Sequence, residues 1–403
     1  MRRRAFVAGA VAAAAAVPLA AACSKGDKSG QPSGSGTAPE GAEPGTVLSK
    51  ERIDTPITGA QAWKVRYTSR DVNDNPTESS GLIIAPEGRG ENRPLLIWCH
   101  GTTGLGDAAC PSAQPDPARE LITYFTPQST QQIDYGVPGL QGFIDDGWVV
   151  CATDYQGLGT PGMHQYIVNR TNARDAVNSA HAARSLDLGT STTLGCAGWS
   201  QGGGAAAAVA ELDPSDYRDL KLIGTVTMSP GVSKIAIESK GGPLAALSNS
   251  SLPPDSHLVM MLAGIQAANP SKLQLQDVFT PLGIEILEAA WENQPVHHIN
   301  DTIARLFRLK GPVLNSPPKN WSEWAALIDA GSAANRKPVA PVLVCEDTFD
   351  GGTVVPVPWQ TAYVNAVKAF GGSVEVRQYP KADHFALPAA CVGDARAWLN
   401  GLK

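Results

Sequence analysis

One stretch limits the fold more than any other: Thr192-Thr193-Leu194-Gly195-Cys196-Ala197, then Gly198-Trp199-Ser200-Gln201-Gly202, then Gly203-Gly204 and an alanine-rich run ending Val209-Ala210-Glu211-Leu212. It reads as an apolar strand, a sharp turn and a helix. Small residues two positions to either side of Ser200 let strand and helix pass closely, and the turn holds the serine in a cramped conformation with its hydroxyl above the sheet. The helix that follows aims unpaired backbone N–H groups toward the same point. With 41 glycines in the chain, a Gly-x-Ser-x-Gly pattern can arise by chance. Its weight here comes from the strand before it and the helix after it. Ser200 is therefore a candidate nucleophile, set against the plainer reading of a structural Gly-Ser turn.

The rest of the chain alternates in a way that suits such a turn. Ala62 to Tyr67 and Gly81 to Pro86 read as strands separated by turn residues around Asn73 to Pro76. Pro94-Leu95-Leu96-Ile97-Trp98-Cys99 is a continuous apolar run, the mark of a strand covered on both faces. Trp148 to Thr153, Leu222 to Met228, Val339 to Cys345 and Val374 to Tyr379 are further strands. Helical spacing appears over Asn172 to Leu186, Trp359 to Phe370 and Ala395 to Leu402. This alternation predicts an α/β fold with a mostly parallel sheet, whose site lies at the carboxyl ends of the strands. Between about 231 and 337 strand signals vanish and helical ones take over, at Leu258 to Ala268, Pro281 to Trp291 and Ile299 to Leu309. A block of that size inside a regular alternation is expected to be an inserted cap or lid, with an extra helical layer as the alternative.

The first residues carry an address. Met1-Arg2-Arg3-Arg4 is a positive segment, Ala5 to Ala22 is apolar and small, and Cys23 follows Leu19-Ala20-Ala21-Ala22. The segment resembles a bacterial lipoprotein signal, which implies lipidation at Cys23 and a membrane anchor. Arg3-Arg4-Ala5-Phe6-Val7 also resembles the core of a twin-arginine export signal. Cleavage with release, or an uncleaved anchor, are the alternatives. Residues 24–45 lack large apolar side chains and are expected to form a tether. The expected layout is thus signal 1–23, linker 24–45, core 46–230 with 338–403, and insertion 231–337.

Net charge of −6, with no basic cluster beyond the extreme N-terminus, argues against a nucleic-acid partner. Export permits disulfides. Cys99, Cys151, Cys196 and Cys345 fall in strand-like runs and are expected to be free, whereas Cys110 and Cys391 follow two candidate catalytic segments and are the expected bridge. No Cys/His cluster at ligand spacing and no phosphate-cradling Gly-x-Gly-x-x-Gly after a strand is present, so neither metal nor organic cofactor is expected.

A nucleophilic serine needs a base, a residue to orient the base, and donors for an oxyanion. Lys381-Ala382-Asp383-His384-Phe385 places His384 in the loop after the last strand, and it is the expected base. The acid is expected after the preceding strand, where Glu346, Asp347 and Asp350 lie; counting from the strand favours Asp350, with Asp347 the runner-up. The order Ser200, Asp350, His384 suits such a triad. His100-Gly101-Thr102-Thr103-Gly104 ends an early strand, so the backbone N–H groups of Thr102 and Gln201 are the expected oxyanion donors.

Together, His100 to Gly104, Asp154 to Gly159, Gly198 to Gly202, Asp350 with Val355-Pro356, and His384 resemble the secretory lipase family of α/β-hydrolases. The resemblance covers about residue 46 to the C-terminus. It implies an α/β-hydrolase fold, an esterase or lipase acting on acyl esters, triacylglycerols among them, and a helical cap near 231–337. Gly351-Gly352 lengthens the family's Asp-to-Val-Pro interval, and no cap motif transfers residue by residue. A peptidase or acyltransferase on the same machinery, or a non-catalytic surface lipoprotein, are the rival readings.

Overall fold

The computed structural model describes residues 41–403 except 125, 127–132, 134, 239–246, 248–252 and 349–353. Its spine is a sheet of nine strands in the order β1-β2-β3-β5-β4-β6-β7-β8-β9. These are β1 Val47–Ile53, β2 Ala60–Arg70, β3 Pro76–Pro86, β4 Arg93–Cys99, β5 Val149–Thr153, β6 Thr190–Trp199, β7 Lys221–Met228, β8 Val342–Asp347 and β9 Val374–Tyr379. The first three strands and the β3–β5 pair run antiparallel; every pairing from β5 through β4, β6, β7 and β8 to β9 is parallel. This is an α/β-hydrolase fold carrying a helical insertion.

The continuous apolar runs are explained by burial on both faces. In β4, Leu95, Ile97 and Cys99 enter one buried cluster while Leu96 and Trp98 enter another. The same parity divides Val149 and Cys151 from Val150 and Ala152 in β5, and Val342 and Val344 from Leu343 and Cys345 in β8. Side chains alternate across a strand, so two covered faces demand apolar residues at every position. β1 is an edge strand reading Val-Leu-Ser-Lys-Glu-Arg-Ile with its middle exposed, and so carries no such signal.

Between β7 and β8 lie helices Ser233–Glu238, Ser256–Ala268, Pro281–Ala290, Val296–Lys310 and Trp321–Gly331. Their inward faces form a third buried cluster, around Met260, Leu262, Ile265, Phe279, Ile286, Ile303, Trp324 and Ile328, joined by Leu105, Tyr166 and Val168 from the sheet's loops. Both ends of this insertion meet one side chain. The Asn169 Oδ1 atom accepts from Ser233 N–H and Ala333 N–H, each at 3.3 Å, and the Asn169 amide donates to the Gly231 carbonyl. Farther out, the insertion is stitched to the loop after β4: Val296 N–H donates to the Thr103 carbonyl at 2.8 Å, Ala108 N–H to the Glu292 carbonyl at 3.0 Å, and Gly104 pairs with Pro295.

The expected Cys110–Cys391 bridge is not formed. All six described cysteines are free, and these two belong to different buried clusters. Cys110 lies in the loop folded against Asp154, whereas Cys391 sits in the helix Leu387–Asn400 and packs in the cluster that holds Cys345. Proximity to two candidate catalytic segments in sequence did not specify which sheet face each thiol would join. Among the described residues no helix is long and apolar enough to cross a membrane. Cys23 and the rest of the expected signal lie outside the described residues.

Candidate active site

The turn after β6 is as tight as its composition demands. Ser200 has φ 58° and ψ −118°, a left-handed region that non-glycine residues rarely occupy and that costs on the order of 1–3 kcal/mol. Neighbouring backbone over-determines it: Ser200 N–H donates to the Met228 carbonyl at 3.0 Å, and the Ser200 carbonyl accepts from Gly231 N–H at 2.8 Å. A Cβ at Gly198 would run into the Gly202 carbonyl, and one at Gly202 into the carbonyls of Cys99 and His100. The glycines therefore bring β6, the helix Gln201–Val209 and the end of β4 into contact around the serine.

His384 reaches this point from the loop after β9. Its Nε2 lies 2.9 Å from Ser200 Oγ. Asp383 Oδ1 accepts from Phe385 N–H at 3.1 Å and Ala386 N–H at 2.8 Å, shaping the turn into the last helix. The Trp199 indole N–H donates to the His384 carbonyl at 2.9 Å, so the residue before the serine also anchors the histidine loop.

Asp350 lies outside the described residues. Among the described residues, the carboxylate that faces the imidazole is that of Asp347, with Oδ2 3.6 Å from His384 Nδ1 and its side chain fully buried. β8 runs two residues beyond Cys345 and ends at Asp347, so the strand delivers an acid sooner than its apolar run suggests. Two side chains not singled out from the sequence complete the arrangement. Gln360 Nε2 donates to Asp347 Oδ1 and, at 2.8 Å, to the Val355 carbonyl; Ser229 Oγ lies 3.3 Å from Asp347 Oδ1 and 3.1 Å from His384 Nδ1. Both come from parts of the chain that no local motif marks.

Thr102 is buried in the loop after β4, and its hydroxyl lies 2.8 Å from the Tyr166 phenol oxygen. His100 is not part of the pair that meets Ser200; its Nε2 lies 3.2 Å from the Asp154 carbonyl and its ring packs 4.5 Å from that of Tyr155. The Asp154 carboxylate holds the neighbouring loops by accepting from Ser80 Oγ at 2.6 Å and Ser112 N–H at 3.1 Å, while burial raises its pKa.

Gln201, the residue after the serine, is fixed through its side chain. Its amide Nε2 donates to His164 Nε2 at 2.8 Å, and His164 Nδ1 lies 2.8 Å from the Gln156 carbonyl. Both contacts are satisfied only by a neutral ring with its proton on Nδ1. Burial pushes the His164 pKa down to about 3. Because the folded value is depressed, this residue's contribution to stability is complete above the unfolded pKa of about 6.5 and is lost as pH falls through the window toward 3. His164→Gln is expected to remove that dependence, making unfolding free energy from urea titrations fall less steeply between pH 6 and 5 by about 1.4 kcal/mol per unit. Identical slopes in both proteins would show that His164 takes up its proton in the folded state too.

A cavity of about 450 Å³ opens beside the serine. Ser200, Gln201, Val355 and Trp359 line it together with Leu258 and Met261 of the insertion. Its lining is mainly apolar, so a serine hydroxyl 2.9 Å from an imidazole nitrogen opens into a greasy slot.

A sequence model of the secretory lipase family matches residues 124–401. A curated relative, a probable inactive lipase of Mycobacterium tuberculosis, is 24% identical over 200 residues; the match takes in 47% of this chain but only 42% of that relative's length. Among solved structures, the ligand-bound rice cell wall degrading esterase LipA of Xanthomonas oryzae superposes with a TM-score of 0.69 at 18% identity, covering 90% of this chain and 100% of the esterase. Candida antarctica lipase A superposes with a TM-score of 0.68 at 13% identity, covering 90% and 83%.

Proposed function

We propose a function on one premise: the chain belongs to the secretory lipase family. It is a serine-dependent hydrolase of carboxylic acyl esters, triacylglycerols or shorter esters. The observation that carries this reading is the 2.9 Å approach of His384 Nε2 to Ser200 Oγ at a strained turn on the rim of the sheet.

In this mechanism Ser200 Oγ attacks the ester carbonyl carbon as His384 Nε2 removes its proton. The negative charge of Asp347 favours the imidazole tautomer with its other proton on Nδ1 and stabilises the imidazolium that forms. Backbone N–H groups of Gln201 and Thr102 receive the oxyanion. The imidazolium then protonates the departing alcohol, and a water activated by the same base releases the acyl group. Neither metal nor organic cofactor takes part.

The insertion at 231–337 acts as a cap that shapes the acyl slot, a role supported by the places of Leu258 and Met261 in its wall. Export follows from the N-terminal segment, with lipidation at Cys23 and the 24–45 tether holding the enzyme at a membrane surface. Nucleic acid is not a partner.

The inactive label on the mycobacterial relative makes non-catalytic binding the competing reading, and activity the quantity to measure. A fluorophosphonate probe is expected to label the protein, and p-nitrophenyl esters of increasing chain length to be hydrolysed while peptide anilides are not. Absence of both labelling and ester hydrolysis would favour the binding protein. Faster anilide cleavage would point to a peptidase.

A further inference from the structure

We infer that Ser229 is a fourth member of the catalytic arrangement, a positioning residue whose hydroxyl joins the His384 imidazole to the Asp347 carboxylate. This rests on the reading of Ser200 and His384 as nucleophile and base.

The direct contact between base and acid is long. His384 Nδ1 and Asp347 Oδ2 are 3.6 Å apart, beyond hydrogen-bond reach, and among the described residues Oδ2 has no hydrogen-bond partner. The Ser229 hydroxyl lies closer to the ring, 3.1 Å from Nδ1, and 3.3 Å from the other carboxylate oxygen, Oδ1. Donor accounting then fixes the direction of each bond. An ionised carboxylate only accepts, so the Ser229 O–H donates to Oδ1. Its lone pairs are left for the Nδ1–H of His384, the tautomer required if Nε2 is to accept the Ser200 proton. The carboxylate's influence reaches the ring through a hydroxyl.

Backbone geometry places that hydroxyl with unusual care. Ser229 is fully buried and has φ 46°, and its N–H donates to the Cys345 carbonyl of β8 at 3.0 Å. Residues on either side hold the nucleophile: the Met228 carbonyl accepts from Ser200 N–H, and Gly231 N–H donates to the Ser200 carbonyl. The four-residue stretch Met228 to Gly231 at the end of β7 thus touches nucleophile, base and acid. Glycine adopts this backbone region without strain. A serine kept there supplies the one thing glycine lacks.

Ser229→Gly separates the two roles, because it removes the hydroxyl and relieves the backbone rather than straining it. The variant, with Ser229→Ala beside it, is expected to melt at or near the wild-type temperature. Its kcat on a nitrophenyl ester should fall about 10- to 100-fold while KM stays within about twofold, as expected when the base loses part of its orientation. The acid limb of kcat/KM should move to lower pH, since an imidazolium without an acceptor at Nδ1 is less stabilised. In an Asp347→Asn background the same change should cost much less, because the hydroxyl acts through that carboxylate. Imidazole ¹⁵N NMR reads the His384 titration without turnover, and the same downward displacement is expected in Ser229→Gly. Wild-type kcat, acid limb and NMR titration in Ser229→Gly would overturn the inference. A wild-type protein without Ser200-dependent hydrolysis, but with the NMR displacement present, would instead remove the functional reading and leave the hydroxyl bridge standing.

Discussion

Ser200→Ala is expected to lower kcat on a nitrophenyl ester by about a millionfold, the scale of losing a serine nucleophile from an intact site. The prediction is large because the rest of the machinery has nothing to activate once Oγ is gone: His384 Nε2 faces that oxygen at 2.9 Å. Folding should be spared. Alanine keeps the Cβ, and the strained backbone is held by the Met228 carbonyl and Gly231 N–H, which do not involve the side chain. Fluorophosphonate labelling should vanish together with activity, while the melting temperature changes little. Full labelling of the alanine variant would place the nucleophile elsewhere and end the case for this serine.

Asp347→Asn should cost about 10⁴ in kcat, whereas Asp350→Asn should leave it near the wild-type value. The carboxamide is nearly isosteric with the carboxylate, so packing is retained. An amide nitrogen turned toward His384 would nevertheless favour the wrong tautomer, with the proton on Nε2, where the base must be free to accept from Ser200. Ser229 and Gln360 both donate to Asp347 Oδ1, which leaves Oδ2 facing the ring; in the variant those donors hold the carbonyl oxygen and direct the NH₂ at Nδ1. Kinetics of the two variants measured side by side decide between the carboxylates. A crippled Asp350→Asn beside a healthy Asp347→Asn would return the role to the later residue.

The pair Asp347 and Asp350 marks where a linear reading reaches its limit. Central strands were legible because burial on both faces leaves runs such as Leu95 to Cys99, and the elbow because its glycines are required by backbone contact at Gly198 and Gly202. His384 was legible from its place after the last strand. The end of β8 was not: Glu346 and Asp347 are polar yet buried within the strand, so its apolar run stops two residues before its hydrogen bonds do. Ser229 and Gln360 carry no local pattern, since each becomes meaningful only when β7, β8 and the helix Val357–Ala369 are side by side.

The backbone pairing of Thr103 and Gly104 with Pro295 and Val296 means that the proposed oxyanion loop borrows its rigidity from the far side of the insertion. Trading that whole block for a foreign one would slacken the donors as well as reshape the slot, and the two injuries would be hard to tell apart. The slot is better reshaped at Leu258 and Met261, which line it and where no strut is cut.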